Sequence, residues 1–428
     1  MKRRSFLNNL AIVGATGLVA PGTLLNLTGC KEAADYTKKS LGKWDFDEII
    51  DRSGTYSIKL RRAEEMGGKI PMWIADMDFR TAPYVREALI NRVNRDVMGY
   101  THIPDEYYES IISWVENQQG WKMERDWVNY CPGVITGIAS AIDCFSEPGD
   151  KVIVQPPVYN PFMQFAEGLG RVVVNNPLIL EDGKYRMDFD QLESIMDDKT
   201  KLLILCNPHN PGGMMWDKEI LIRVAEICAH HNVIVLSDEI HGDLALGGRR
   251  HIPFCSVSDE AAKVGMIFTG PTKAFNIAGL HTAQTYIVNK ELREKYYSYL
   301  GKRKMTEASV PAIESTIAAY SNEPLWLDDL KKYLQGNIDY VAEFLANEIP
   351  AIKAIKPEAS FLLWLDCKEL KLPQNELVSL FQDKANLLIN SGETYREGGT
   401  GFIRINIGCP RAICRKAMEN LKAAIEKK

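Results

Sequence analysis

The sequence predicts an α/β fold built around a mostly parallel sheet. From about residue 80 onwards, short apolar segments typical of strands alternate with amphipathic segments typical of helices. Several apolar segments end in turn-forming residues, as in KLLILCNPHNPGG (201–213). Such alternation is typical of parallel strands joined by crossover helices, which form a large domain with helices flanking the sheet. After about residue 290, longer helices precede a second, smaller α/β unit near the C-terminus.

Composition and charge are those of an ordinary globular protein. The chain has 428 residues, of which 46% are hydrophobic and 25% charged, and this length allows two domains. The net charge is −5 and basic residues form no large cluster, so we expect no nucleic-acid partner. The nine cysteines are scattered without the spacing of metal ligands, so we expect no metal site.

The first 30 residues have the pattern of an export signal. RRSFL (3–7) resembles a twin-arginine signal, and LTGC (27–30) resembles a lipoprotein cleavage box in which Cys30 becomes the lipid-carrying residue. The alternative is a plain transmembrane anchor, which the short apolar stretch with its glycines and Pro21 disfavours. We therefore expect a bacterial protein that is periplasmic or held at a membrane only through a lipid.

Changes of composition along the chain suggest where its domains begin and end. The predicted segments are an export signal with a lipobox at 1–30, a linker at 31–43, an N-terminal segment of the small domain at 44–90, a large domain at 91–315 and a C-terminal small domain at 316–428.

Residues that carry chemistry follow several predicted strands. Ligands bind at the carboxyl ends of strands in open α/β sheets. Lys273 follows one strand in a turn of small residues, where loss of water lowers the pKa of a lysine and makes it a nucleophile. Asp238 ends another buried strand and needs a cationic partner. Without further support, Lys273 could equally be a solvated loop residue and Asp238 a helix cap.

Four further positions have both a structural and a functional interpretation. The amide of Asn210 could stabilise a loop or donate to a ligand. Gly133 precedes a predicted helix whose free amides could bind a phosphate or could simply be capped. Tyr159 could lay its ring over a flat ligand. Arg404 lies in an apolar strand, where it needs a carboxylate from either the protein or a substrate.

Taken together, these residues are the set that pyridoxal phosphate (PLP) needs to act on an amino acid. The motifs IPMWIADMDF, PPVYNPF, LSDEIHGDL and IRINIGCPR support this interpretation. Over about residues 44–425 the chain resembles the fold-type I PLP enzymes of aminotransferase class I/II. Within that group it is similar to the MalY/PatB-type cystathionine β-lyases, also called cysteine-S-conjugate β-lyases.

The resemblance implies a role for each matching position. The implied Schiff-base lysine and general base is Lys273, and the implied partner of the pyridine nitrogen is Asp238. The other implied cofactor contacts are Asn210 and His241 near the ring hydroxyl, Tyr159 stacked on the ring, and Val134, Ile135, Thr272 and Tyr100 at the phosphate. The implied substrate contacts are Arg404 and Ala75.

The resemblance also implies a homodimer, because Tyr100 matches a tyrosine that reaches the phosphate of the partner subunit. The implied reaction is β-elimination of cystathionine or a related cysteine S-conjugate to a thiol, pyruvate and ammonia. Two alternatives remain open, namely an aminotransferase of the same fold and a non-catalytic regulatory or binding protein. Gly270 departs from the family pattern because many relatives have serine there, and we expect it to let the backbone approach the cofactor.

Overall fold

The computed structural model describes residues 44–427, so the predictions made for residues 1–43 lie outside the described part. In chain order, the strands are β1 (Ile70–Pro71), β2 (Val128–Cys131), β3 (Lys151–Val154), β4 (Val172–Asn175), β5 (Ile179–Glu181), β6 (Lys184–Arg186), β7 (Thr200–Cys206), β8 (Ile234–Asp238), β9 (Gly265–Thr269), β10 (Ala283–Tyr286), β11 (Lys353–Ile355), β12 (Leu362–Asp366), β13 (Leu387–Leu388), β14 (Asn390–Ser391) and β15 (Phe402–Asn406).

In chain order, the α-helices are α1 (Ile58–Glu65), α2 (Pro83–Val93), α3 (Asp105–Gln119), α4 (Val134–Phe145), α5 (Pro161–Gly168), α6 (Phe189–Ser194), α7 (Lys218–His230), α8 (Asp259–Val264), α9 (Lys290–Lys302), α10 (Val310–Ser321), α11 (Leu325–Glu348), α12 (Gln374–Ser379) and α13 (Arg411–Glu426). Many begin at a polar cap. The side chains of Ser57, Asn289 and Ser309, for example, accept backbone N–H groups of the first turns of α1, α9 and α10.

A seven-stranded sheet in the order β2-β10-β9-β8-β7-β3-β4 forms the centre of the fold. Only β10 runs antiparallel to its neighbours, because the link from β9 is a turn without a crossover helix. Successive residues of each central strand belong to two different apolar cores. Leu203 and Val235 lie in one core, and Leu202 and Leu236 lie in the other. Helices therefore cover both faces of the sheet, as its near-continuous apolar strands predict.

A second sheet, in the order β11-β12-β15-β14, is antiparallel throughout. The helices α11 and α13 pack together, and α11 also contacts β11. The rings of Trp364 and Phe402 stack at 4.9 Å between centroids and join β12 to β15. The N-terminal segment reaches this region because β1 pairs in parallel with β13.

The predicted α/β fold with a mostly parallel sheet is confirmed, whereas two details were not foreseen. One is the antiparallel β10, and the other is the hairpin of β5 and β6. Asp182 and Gly183 at its turn both have positive φ, and Asp-Gly is a strong hairpin signal that the sequence does contain. The part from Trp44 onwards forms one compact unit, so the boundaries at 90/91 and 315/316 stay predictions. Within residues 44–427, no helix is long and apolar enough to cross a membrane.

One helix approaches the sheet closely enough to require glycine. A Cβ on Gly137 in α4 would lie 2.9 Å from Cδ1 of Phe268 and 3.0 Å from Sγ of Cys131. Both neighbours are fully buried in the sheet, so they have little room to move. This close contact fixes the position of α4, whose first turn borders the candidate site described below.

We predict that Gly137→Ala destabilises the protein by about 1–3 kcal/mol, because the added methyl overpacks this contact. Thermal unfolding measures the effect. Gly168→Ala is the matched control, since a Cβ on Gly168 at the end of α5 has nothing within 4 Å. A Gly137→Ala protein at least as stable as the control would show that α4 is not tightly held.

Candidate active site

A cavity of about 280 Å³ opens at the carboxyl ends of β7, β8 and β9. The predicted site residues that line it are Ala75, Val134, Ile135, Tyr159, Asn210, Asp238, His241, Thr272 and Lys273. These residues come from six separate stretches of the chain, and the fold brings them to one place.

Parallel register explains why the loops after these strands meet. Cys206 at the end of β7 pairs with Asp238 at the end of β8, and Asp238 pairs with Phe268 in β9. The three strands therefore end at the same edge of the sheet. Asn210, His241 and Lys273 follow within a few residues and so lie around one cavity.

Lys273 is partly buried and lines this cavity. Its Nζ donates a hydrogen bond to the carbonyl oxygen of Ala75 at 2.9 Å. Burial lowers the pKa of Lys273, the charges of Asp76 and Asp238 oppose this shift, and that of Arg404 adds to it. These contacts favour the nucleophile over the alternative of a solvated loop lysine.

Asp238 is a buried carboxylate with spare capacity for hydrogen bonds. Burial raises the pKa of Asp238 to about 7, against the opposing effects of the Ile240 N–H group and the Lys273 charge. That N–H group donates to Oδ1 of Asp238 at 3.1 Å, which is a local turn contact. The next helical turn, Gly242–Leu244, begins at His241 without a side-chain cap, so Asp238 is not the helix cap that was the alternative. The neighbouring Glu239 is instead bound to His251 at 2.7 Å, away from the cavity residues. Asp238 is thus the acidic group available to a cationic ligand.

His241 and Tyr159 present rings to the same cavity. Burial lowers the pKa of His241 to about 3, helped by the charges of Lys273 and Arg404, so its imidazole is neutral. Its Nδ1 is buried and has no hydrogen-bond partner among residues 44–427. The ring of Tyr159 packs edge-on against that of Phe162, with centroids 5.6 Å apart.

The start of α4 offers backbone donors for an anion. Gly133 has φ of +141°, a conformation that favours glycine, and no side chain caps the helix there. The amides of Val134 and Ile135 therefore stay available at the cavity wall, next to Thr272. This cradle fits a phosphate group.

Gly270 was expected to let the backbone approach a cofactor, and this explanation was wrong. Gly270 does not line the cavity. A Cβ at this position would lie 3.0 Å from Cα of Ala283 and 3.1 Å from the carbonyl oxygen of Thr282. The glycine therefore makes room for the backbone leading into β10 rather than for a cofactor.

Arg404 has an unusual set of partners. Its Nη1 donates to Oδ1 of Asn210 at 3.1 Å, and its Nη2 donates to Oδ1 of Asn390 at 2.8 Å and to the carbonyl oxygen of Trp73 at 2.6 Å. All three acceptors are neutral, and Nε has no partner within residues 44–427. No carboxylate in the described part forms an ion pair with this arginine, which is 4% exposed. The salt-bridge alternative is therefore wrong, and the charge is left for an incoming anion.

Tyr100 does not reach this cavity within one chain. Its side chain is fully exposed, and the apolar side chains of Ile90, Val93, Val97 and Met98, which precede it in sequence, are exposed as well. Its predicted role would require a partner subunit.

Several residues at or near the cavity were missed in the sequence. His281 and Thr282 line it, and Trp73 and Asn390 orient Arg404. Asn406, which donates to the carbonyl oxygens of Ile74 and Asp76, was missed as well. Its position was a signal, because it lies two residues after Arg404 and therefore on the same face of β15. No cluster of His, Cys, Asp or Glu within residues 44–427 is arranged to hold a metal ion.

The family described as aminotransferase class I and II matches residues 68–421. The chain belongs to this family. It is 39% identical over 385 residues to cystathionine beta-lyase PatB of Bacillus subtilis (strain 168), a match that covers 89% of this chain and 100% of that protein. It is 35% identical over 391 residues to protein MalY of Escherichia coli (strain K12), covering 89% and 99%.

Solved structures show the same likeness. Cystalysin from Treponema denticola, which contains a pyridoxal 5'-phosphate cofactor, is 30% identical with a TM-score of 0.87, covering 90% of this chain and 99% of that one. The PLP-bound C-S lyase from Staphylococcus hominis is 31% identical with a TM-score of 0.82, covering 89% and 98%. The resemblance inferred from the sequence, and the fold type that it implied, are confirmed.

The raised pKa of Asp238 predicts a pH-dependent stability of the cofactor-free protein. Between the pKa of 3.8 for an ordinary aspartate and about 7 for Asp238, the folded state holds a proton that the unfolded state has lost. Stability therefore falls as the pH rises through this window. We predict that Asp238→Asn, which has no charge to bury, is more stable than the wild type at pH 8 by on the order of 3 kcal/mol.

The difference in stability between Asp238→Asn and the wild type should vanish as the pH falls towards 4, where the folded and the unfolded protein both hold the proton. Thermal unfolding of the cofactor-free proteins at several pH values measures it, with Asp182→Asn on the exposed hairpin turn as the control. An equal gain at pH 4 and pH 8 would contradict the assignment of the buried charge to Asp238.

Proposed function

We propose that this chain is a PLP-dependent carbon–sulfur β-lyase that cleaves cystathionine or a related cysteine S-conjugate to a thiol, pyruvate and ammonia. One observation carries the proposal. A single cavity brings together the amine of Lys273 and the carboxyl group of Asp238, and Arg404, bound to the cavity residue Asn210, has no carboxylate partner in the described part. The expectations of an enzyme, of PLP and of lyase chemistry agree with the relatives and solved structures named above.

The residues present fit the cofactor. Asp238 would hold its protonated ring nitrogen, and this cation would offset the cost of burying the carboxylate. The start of α4, with Val134 and Ile135, would hold the phosphate. The unpartnered Nδ1 of His241 would lie near the ring, and Tyr159 would cover one ring face.

PLP, when bound, supplies a carbonyl carbon for the substrate amine and a protonated ring that takes up electrons from Cα. Lys273 has a lowered pKa and therefore presents a basic amine that can remove the Cα proton. Arg404 binds the substrate carboxylate and orients the Cα–H bond. The Cβ–S bond then breaks, the thiolate leaves, and hydrolysis of the remaining three-carbon fragment gives pyruvate and ammonia.

Asn210 links the two halves of the site. Its Oδ1 accepts from Arg404, so its Nδ2 group is the donor that remains for a ligand. One amide can therefore contact the cofactor while it orients the arginine that holds the substrate. The aminotransferase alternative uses the same groups up to loss of the Cα proton and differs only in where a proton returns, so these residues cannot separate the two reactions.

We predict that the purified holoenzyme releases pyruvate and a thiol from cystathionine or an S-alkyl cysteine without any keto acid. Pyruvate measured by lactate dehydrogenase coupling and thiol measured by a chromogenic disulfide should appear in equal amounts. A panel of cysteine conjugates then ranks the substrates by kcat/KM.

Lys273→Ala is the matched control, because it removes the amine and should reduce turnover by at least about a thousandfold. Formation of pyruvate only when a keto acid is added would instead indicate an aminotransferase. Binding of PLP without turnover of any amino acid would favour the non-catalytic alternative.

A homodimer in which Tyr100 completes the partner's phosphate site is part of the proposal. Tyr100 is fully exposed in the single chain, and Val93, Val97 and Met98, which precede it in sequence, are more than half exposed. Such a group of exposed apolar side chains is typical of a contact surface between proteins. Burial of this surface against a second copy would explain both the exposure and the predicted role.

Mixed dimers test this arrangement. We predict that Tyr100→Ala weakens PLP binding by about tenfold or more. A dimer of one Lys273→Ala chain and one Tyr100→Ala chain should regain activity at one of its two sites, which then contains both Lys273 and Tyr100. The assay uses a PLP concentration that leaves the Tyr100→Ala dimer mostly empty, and refolded or co-expressed mixtures no more active there than the separate variants would contradict a shared site.

We also propose that the protein is exported and carries a lipid on Cys30. The support is the sequence RRSFL followed by an apolar stretch and LTGC. These residues lie outside the part that the structure describes, so this location stays a prediction.

A further inference from the structure

The short segment Trp73–Phe79, which contains Ala75, is held from two sides by asparagine side chains. Asn406 donates from Nδ2 to the carbonyl oxygens of Ile74 and Asp76, both at 2.6 Å. Asn276 accepts from the Met77 N–H group at 2.9 Å and donates to the carbonyl oxygens of Met77 and Phe79. The segment is therefore held by amides of the second sheet and of the Lys273 turn.

Four charges lie at the same segment, and we call them the 52/59/76/78 cluster: Arg52, Lys59, Asp76 and Asp78. Arg52 binds both oxygens of Asp76, at 3.2 and 2.9 Å, and Oδ1 of Asp78 at 2.6 Å. Lys59 is 1% exposed and donates to Oδ2 of Asp78 at 2.7 Å and to the backbone oxygen of Asp76 at 3.2 Å. Two cations and two carboxylates thus balance one another.

The two carboxylates differ in what they do to Lys273. Burial lowers the pKa of Lys273, and the charge of Asp76 is the largest effect that opposes this shift, ahead of that of Asp238. Both oxygens of Asp78 are bound by cations, Oδ1 by Arg52 and Oδ2 by Lys59. The other charged group that acts on Lys273 is Arg404, and the neutral imidazole of His241 shares the cavity.

From these contacts we infer that Asp76 is a positioning residue: Arg52 and Lys59 hold it so that the Ala75 carbonyl meets the Lys273 amine and the Asp76 carboxylate sets the proton affinity of that amine. The hydrogen bond from Lys273 to Ala75 joins the cluster's segment directly to the reactive nitrogen. Arg52 and Lys59 reduce the negative potential that Asp76 exerts on Lys273. The inference deepens the proposed function, because it assumes that Lys273 is the reacting amine.

Partial neutralisation has a clear chemical purpose. A bare carboxylate next to Lys273 would keep its amine protonated and unable to take a proton from a substrate. Removal of the carboxylate would leave only Asp238 to oppose burial and the charge of Arg404. The cluster therefore holds the proton affinity of Lys273 between these two limits.

The test measures Lys273 itself in the cofactor-free protein, where turnover plays no part. Trace acetylation with acetic anhydride across a pH series, followed by mass spectrometry of the peptide that contains Lys273, gives the titration midpoint of the amine. We expect Asp76→Asn to move the midpoint to lower pH by about half a unit or more. Asp78→Asn is the matched control, since it removes a carboxylate from the same cluster and should leave the midpoint in place.

Arg52→Gln is a second variant, for which we expect the titration midpoint of Lys273 to move in the opposite direction. It removes the cation that binds Asp76, so the midpoint should move to higher pH. Circular dichroism and thermal unfolding establish that each variant is folded. If Arg52→Gln is not folded, Lys59→Gln takes its place, because it also removes a cation of the cluster and the upward shift is expected for it too.

Equal shifts in Asp76→Asn and Asp78→Asn would show that loosening of the segment alone affects Lys273, and this would overturn the inference. An unchanged midpoint in Asp76→Asn, or a downward shift in Arg52→Gln, would overturn it as well. Because the labelling needs neither PLP nor substrate, failure of the lyase assay and failure of this inference are distinguishable.

Discussion

The parallel pairing of β7, β8 and β9 is the constraint on which the rest of the site depends. Hydrogen bonds between these strands place Asp238 at the carboxyl end of β8. They also fix the end of β9, after which comes the turn that contains Lys273. Apolar cores cover both faces of the sheet, so charged groups at these strand ends lose contact with water. That loss raises the pKa of Asp238 and lowers that of Lys273, which moves the proton affinities of an acid and a base towards each other.

The cavity is built for a ligand that carries charges of both signs. Asp238 offers a carboxyl group to a cation, and the start of α4 offers backbone donors to an anion. Arg404 does not line the cavity itself and lies behind Asn210, to which its Nη1 donates. Protonated pyridine, phosphate and a substrate carboxylate satisfy these three demands at once. Filling the cavity would therefore stabilise groups that the protein alone leaves poorly compensated, which couples cofactor binding to the stability of the fold.

Much of this could be predicted from the sequence because strand ends are marked by unusual residues. Lys273 and Asp238 were each ambiguous alone, and it was the set of residues at neighbouring strand ends that indicated their roles. The hairpin of β5 and β6 had a local signal in Asp182 and Gly183. The antiparallel direction of β10 had none, because it depends on the path of the segment that connects β9 to β10. The need for glycine at position 270 could not be explained from the sequence. It comes from the close approach of the backbone at Ala283, and a pattern of apolar residues carries no information about such a distance.

Arg52 and Arg404 show why residue type alone does not settle a role. Both contact the segment around Ala75, yet Arg52 binds two carboxylates and Arg404 binds only neutral oxygens. The charge and hydrogen bonds of Asp76 and Asp78 outweigh burial and raise the pKa of Arg52, so this arginine is already satisfied by the protein. In the proposed site, the charge of Arg404 would therefore attract a substrate carboxylate, while Arg52 partly neutralises Asp76. Substrate binding and the proposed tuning of Lys273 would thus both follow from the different partners of two arginines.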